Sequence, residues 1–236
     1  MINEEDHLRI QAMLDGLALP DAAKLAFSVE EKLATVCDFS FDNQLGYLTA
    51  CPTNTGTGMR ASLMLHLPML TRCKQMGNVT QSVAKLGLTI RGIYGEGSEA
   101  LGDLYQVSNQ VTLGRTEEEL IEAVTAVGRQ LIEMENALRQ HAASDGLDLQ
   151  DGVWRSYGAL RYAKQMNDAE FMSHWSNLRL GIATGILNVP LSVADDLLTL
   201  AQDAHERYRS GNERRPHFAD RRSEKRVRRA CQRVCR

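Results

Sequence analysis

From Thr116 to Leu138 an apolar residue recurs every three or four positions: Leu120, Val124, Val127, Leu131, Met134 and Leu138. That spacing lines one face of an α-helix. Thr116 and Glu119 stand three apart at its start. In that arrangement each side chain satisfies the other's backbone N–H at a helix N-terminus. A helix of this length must bury its stripe against other elements, and it marks the point where the chain changes character.

Before it, short β-rich runs alternate with loops and shorter helices. Residues 20–35 read as a helix, with Pro20 early and Ala22, Ala23, Leu25, Ala26, Val29 and Leu33 near one face. Residues 46–51, 61–67, 88–94 and 104–113 read as strands. A helix is predicted within 67–86, weakened at Gly77-Asn78. After the long helix, 149–165, 168–186 and 192–205 read as helices, with Asn167/Glu170 and Ser192/Asp195 as capping pairs. This order predicts an α+β domain whose mainly antiparallel β-sheet is flanked by helices.

No apolar run approaches the roughly 18–20 residues that span a bilayer. The first residues, Met1-Ile2-Asn3-Glu4-Glu5-Asp6, are acidic and lack the apolar core of a secretory signal. A cytoplasmic protein without membrane partners is expected. Five cysteines, an odd number in a chain of this size, read as free thiols rather than a disulfide scaffold. Cys231 and Cys235 lack paired ligands nearby, so no zinc site is read there. The net charge of −3 conceals an asymmetry: residues 205–236 carry 12 Lys and Arg against 4 Asp and Glu. A solvated tail is the reading taken, and nucleic acid is not expected, although such a tail could meet an acidic partner.

The chain has no Gly-Lys dipeptide, hence no Walker A loop, and no His-Arg-Asp catalytic loop. Three other segments concentrate chemistry. Asn3-Glu4-Glu5-Asp6-His7-Leu8-Arg9 places three carboxylates beside an arginine. Cys51 to Arg60 is a polar loop with a thiol at one end and a guanidinium at the other. Arg91-Gly92-Ile93-Tyr94-Gly95-Glu96-Gly97 carries an arginine on a strand and a carboxylate on a glycine-flanked loop.

In this order, Asn-Glu-Glu-Asp-His-Leu-Arg, Cys-Pro-Thr-Asn-x-Gly-Thr and Arg-Gly-x-x-Gly-Glu resemble the phosphagen kinases, the ATP:guanido phosphotransferases. The likeness runs over residues 2–211. Its bacterial branch, the protein arginine kinases, is the nearer in style at Cys51–Ser62 and at Arg91–Gly102. The resemblance implies a glutamine synthetase-like catalytic domain over 1–211, with 212–236 as a basic tail. It implies ATP and Mg2+ as cofactors and phosphoryl transfer to the guanidinium of arginine residues in proteins. The transition state spreads negative charge over phosphoryl oxygens, so positioning and charge neutralisation carry the catalysis. By resemblance, Arg9, Arg60 and Arg91 grip the nucleotide phosphates. Ala61, Ser62, Leu63 and Met64 line the nucleotide segment with Gly92, Ile93, Tyr94, Gly95 and Glu96. Glu5 and Glu96 hold the acceptor guanidinium, Glu5 as the base, and Cys51 matches a reactive thiol beside it.

The implied partners are proteins with exposed arginines, a zinc-finger activator and a Clp-type protease; a homodimer is the implied assembly. Family members carry a Ser-x-Arg-x-Arg phosphate clamp ahead of the first motif. The expectation is therefore an N-terminally incomplete catalytic domain, and the alternative function is an impaired remnant that keeps the fold and weak nucleotide affinity. Family members also end in Arg-Asp-x-x-Arg-Ala. Here Asn212-Glu213-Arg214 fits the approach, but Arg215-Pro216-His217-Phe218 departs from it, as a frame change near Arg214 would make it.

Overall fold

The structure is a computed structural model that describes residues 1–2, 5–92, 100–144, 146–163 and 166–201. They fall into two compact units. The first takes in the described residues of Met1–Leu65, Lys74–Ser98 and Tyr105–Glu133; the second takes in those of His66–Cys73, Glu99–Leu104 and Met134–Arg236.

The first unit opens on a tight excursion in which Ile2 and Leu8 bridge antiparallel and the Arg9 N–H donates to the Met1 carbonyl at 3.0 Å. Helix α1 (Leu19–Ala34) follows, with Pro20 in its first turn as expected. None of its residues is buried, and Leu25 and Val29 are largely exposed. A two-residue hairpin pairs β1 (Phe41–Asp42) with β2 (Gly46–Tyr47). The strand predicted over 46–51 stops after Tyr47 because the chain turns into the cysteine loop, and Tyr47 bridges Gly56 across it.

Strands β3 (Ser62–His66), β4 (Leu88–Gly92) and β5 (Leu104–Asn109) form a sheet in the order β3-β5-β4. Strands β4 and β5 run antiparallel, with Arg91 opposite Gln106 and Leu88 opposite Asn109. In β3 and β5 the bonds Asn109 N–H to Ala61 O and Leu67 N–H to Asp103 O reverse the strand directions in the same way. Side chains alternate between faces along a strand. One face therefore carries Ala61, Leu63, Leu88, Val107 and Asn109, all buried. The other carries Arg60, Ser62, Met64, Thr89, Arg91, Gln106 and Ser108.

Helix α4 (Glu117–Ser144) covers the apolar face. Leu120, Val124, Val127 and Leu131 are all buried, and a methyl group built on Gly128 would come within 2.4 Å of Leu63 Cδ1. The capping box forms in both directions, Thr116 N–H to Glu119 Oε2 and Glu119 N–H to Thr116 Oγ1, each 3.2 Å. The stripe does not continue as predicted: Met134 is 41% exposed, and the buried neighbour is Glu135.

The helix predicted within 67–86 is two: α2 (Pro68–Arg72) and α3 (Met76–Ala84). The break comes at Lys74, which adopts a left-handed φ of 55°, ahead of the Gly77-Asn78 pair.

The second unit is helical: α5 (Leu147–Tyr162), α6 (Asp168–Ala183) and α7 (Leu191–Leu200), with α2 beside them. Trp175, 1% exposed, donates its indole N–H to the Ala194 carbonyl at 2.7 Å. Gly181 lets α5 and α6 approach, since a methyl there would meet Val153 Cγ1 at 2.3 Å. Asn167 caps α6 by accepting the Glu170 N–H. Ser192 does not cap α7; that helix starts after Pro190 and places Ser192 inside its first turn. Against the helices expected over 149–165, 168–186 and 192–205, α5 starts two residues earlier and ends at Tyr162, α6 ends at Ala183, and α7 runs from Leu191 to Leu200. No helix among the described residues is long and apolar enough to cross a membrane.

Candidate functional site

Those of the expected site residues that are described, Glu5, Arg9, Cys51, Arg60 to Met64, Arg91 and Gly92, fall within the first unit. Glu5 lies in the turn closed by the Ile2–Leu8 bridge and holds Arg9 in an ion pair, Nη2 to Oε2 at 2.6 Å. The Glu5 side chain is 51% exposed, so its carboxylate is open to an incoming group.

Asp6, to which sequence reasoning assigned no separate role, ties this turn to the cysteine loop. Its Oδ1 accepts the Ala50 N–H at 2.8 Å and the Cys51 N–H at 3.4 Å, and its Oδ2 accepts the Asn54 side-chain amide at 2.7 Å. Burial pushes the Asp6 carboxyl up, but the Asn54 amide, the Cys51 and Ala50 N–H groups and the Arg9 charge outweigh it. The group is held below the usual aspartate value and stays ionised. Because Asp6 adjoins Glu5, one carboxylate fixes where the next stands relative to Cys51.

The cysteine loop is clamped elsewhere too. Thr112, after β5, sends its hydroxyl toward the Thr53 and Thr55 carbonyls at 2.9 and 2.8 Å. Cys51 Sγ lies 3.0 Å from Thr53 Oγ1, within hydrogen-bond reach of that hydroxyl. Gly56 passes under Thr112 at φ 118°, where an added Cβ would stand 2.5 Å from the Thr112 carbonyl oxygen. Replacing Gly56 by alanine both strains the backbone and overpacks this contact. The expected cost is about 1–3 kcal/mol, read as a lower urea midpoint at unchanged slope.

Of the three arginines expected at the phosphates, Arg60 and Arg91 stand on the polar face of the sheet, while Arg9 stays with Glu5 in the N-terminal turn. Arg60 donates from Nη2 to Ser108 Oγ at 3.1 Å. Arg91 stands on the same face opposite Gln106, two positions along β5 from Ser108. Diagonal neighbours of this kind lie within reach of long side chains. Two guanidiniums thus share one face with Ser62 and Met64, while Ala61 and Leu63 point to the other face and are buried. If the segment lines a nucleotide as expected, Ala61 and Leu63 can shape it only through their backbone. Gly92 ends β4. Ile93, Tyr94, Gly95 and Glu96, four of the expected site residues, lie outside the described residues, as does the basic tail.

A face bearing two arginines suits an anionic phosphate chain, because the guanidinium donates in a fork and keeps its charge. Among the described residues no three His, Cys, Asp or Glu side chains are grouped to hold a metal ion.

The chain is similar to known proteins in the same sense. Residues 1–138 match the family model of the ATP:guanido phosphotransferase C-terminal catalytic domain. Residues 146–235 match that of the protein-arginine kinase McsB C-terminal domain. A protein-arginine kinase of Caldanaerobacter subterraneus is 45% identical over 93% of this chain, and one of Pelotomaculum thermopropionicum is 45% identical over 93%. The chain spans 66% and 62% of the length of those two relatives. Among solved structures, the duplicated taurocyamine kinase of Schistosoma mansoni superposes with a TM-score of 0.52 at 29% identity, covering 69% of this chain and 24% of that one.

Proposed function

The chain belongs to the ATP:guanido phosphotransferase family, and from that premise we propose that it transfers the γ-phosphoryl group of ATP to the guanidinium of arginine residues in proteins. The observation that carries the reading is the separation of labour in the first unit. An open carboxylate, Glu5, already paired with a guanidinium, is fastened through Asp6 to the Cys51 loop. Two further guanidiniums share the polar sheet face.

On this reading Arg60 and Arg91 bind the phosphates and Arg9 joins them when the acceptor displaces it from Glu5. Glu5 accepts hydrogen bonds from the acceptor guanidinium, which is a poor nucleophile while protonated, orients the attacking nitrogen and takes its proton as attack proceeds. Glu96 shares the grip on the acceptor, and the Cys51 side chain stands beside it. Mg2+, when bound with the nucleotide, would supply further neutralisation of the charge that develops in transfer. The family resemblance supports the finer partners in the same measure: a zinc-finger activator, a Clp-type protease and a cytoplasmic setting.

The test is incubation of the chain with ATP, Mg2+ and an arginine-bearing protein. Acid-labile phosphate on arginine is the expected product, persisting when free arginine is added in excess. Binding of Mg·ATP without any phosphoarginine would replace this reading by that of a remnant that keeps the fold.

A further inference from the structure

Two consecutive polar residues on β5, Ser108 and Asn109, are buried, at 0% and 5% exposure, and neither belongs to the motifs. We propose that Ser108 and Asn109 are positioning residues that hold Arg60 toward the nucleotide phosphates from opposite faces of the sheet. The inference rests on the assignment of Arg60 to the phosphate-binding group.

Consecutive strand residues point to opposite faces, so the two act on different parts of Arg60. Ser108 lies on the polar face, and its hydroxyl receives the guanidinium at 3.1 Å. Asn109 lies on the apolar face, where its strand neighbour Val107 is fully buried. An amide there must satisfy itself internally. It does so on the peptide groups flanking Arg60: Oδ1 accepts the Ala61 N–H at 2.8 Å, and Nδ2 donates to the Met59 carbonyl at 3.1 Å. A longer bond to the Val111 carbonyl, 3.3 Å, uses the second amide proton. The Asn109 backbone N–H donates to the Ala61 carbonyl as well, at 3.3 Å.

The main chain before and after Arg60 is therefore tied to one side chain, and the head of Arg60 to the residue before it. An apolar residue at 109 would pack as well against Val107 but would release both flanking peptides. Arginine has many rotamers, and ordering it before the nucleotide arrives removes that cost from binding.

A double-mutant cycle separates positioning from mere support of the fold. Mg·ATP dissociation constants are measured by calorimetry on the chain, on Ser108→Ala, on Asn109→Asp, and on each combined with Arg60→Met. Asn109→Asp keeps the shape but sets a carboxylate against the Met59 and Val111 carbonyls. Ser108→Ala removes one oxygen and serves alone if the other variant fails to fold. Each single change is expected to weaken Mg·ATP about threefold to tenfold, and by less than about twofold when Arg60 is already methionine. The same loss in both backgrounds, or no loss in either, overturns the proposal. A parent chain that does not bind Mg·ATP overturns the phosphate assignment of Arg60 and this inference with it. Binding that is strong but additive overturns this inference alone.

Discussion

Glu5→Gln is expected to slow phosphoryl transfer by about 10²–10⁴-fold, the usual contribution of a positioned general base. The change is nearly isosteric. It removes the charge that grips the acceptor and the oxygen that takes its proton, and it leaves the sheet face with Arg60 and Arg91 untouched. Mg·ATP affinity should therefore stay within about threefold, which assigns the loss to the chemical step rather than to ground-state nucleotide binding. The fold should survive: the Glu5–Arg9 pair is partly exposed on both sides, and a pair of that kind is worth about 1 kcal/mol or less. A glutamine oxygen can still accept from Arg9. Single-turnover phosphorylation of an arginine-bearing protein, beside a thermal melt of the same variant, makes the comparison. A rate within about tenfold of the parent would remove Glu5 from the role of base.

What the sequence made legible follows from the range over which each signal acts. The long helix, its capping box and the Asn167 cap are written in residues three or four apart, and each is found as expected. The strands expected over 88–94 and 104–113 were equally local; they are found as Leu88–Gly92 and Leu104–Asn109, the second stopping four residues short of the expected end. Features decided at long range were not readable. The strand expected over 46–51 gives way because Tyr47 pairs with Gly56 instead of running on. Helix α1 has the periodicity of a buried helix, yet no residue of it is buried. Periodicity states that a face is apolar, not what meets it.

The site divides in the same way. Glu5, Arg9, Cys51, Arg60 and Arg91 were singled out because they stand inside motifs. Asp6 and Thr112 were not given roles, because the bonds that define them cross 44 to 59 residues. Ser108 and Asn109 were hidden for the same reason, each meeting its partner 48 residues away. A polar pair in the middle of a predicted strand was the available signal. Strands covered by a helix on one face seldom carry a buried amide without a use for it.

Glu135 shows the same signal on a helix, and its removal is the largest stability effect expected. In sequence it stands four residues after Leu131, in the line of the apolar stripe, where Met134 was expected to be the buried member. In the second unit Glu135 is 2% exposed and accepts the Met69 N–H at 3.1 Å and the Leu70 N–H at 3.0 Å. Helix α2 has no side-chain cap of its own, so a carboxylate from α4 satisfies its first amides. Arg139 completes the group, donating to Glu135 at 2.8 Å and to the His66 carbonyl at 3.1 Å. Glu135→Leu strips two buried N–H groups of their acceptor and leaves the Arg139 guanidinium with the His66 carbonyl but without its carboxylate. The expected loss is about 3–5 kcal/mol, the range for breaking a buried ion pair by deleting one partner. Glu135→Gln keeps the shape and one acceptor oxygen, and it should cost less, about 1.5–3 kcal/mol. Urea unfolding should be measured above about pH 7.5, because His66 adds a separate acid effect. Burial pushes the His66 ring down to about 2, with the charges of Arg179 and then Arg139 adding to the shift. The unfolded ring binds a proton near pH 6.5 and the folded ring does not, so stability falls as pH drops below about 6.5. Above that window the two Glu135 variants isolate the cap. A loss under about 1 kcal/mol for Glu135→Leu would mean that water replaces the carboxylate and that α2 does not depend on it.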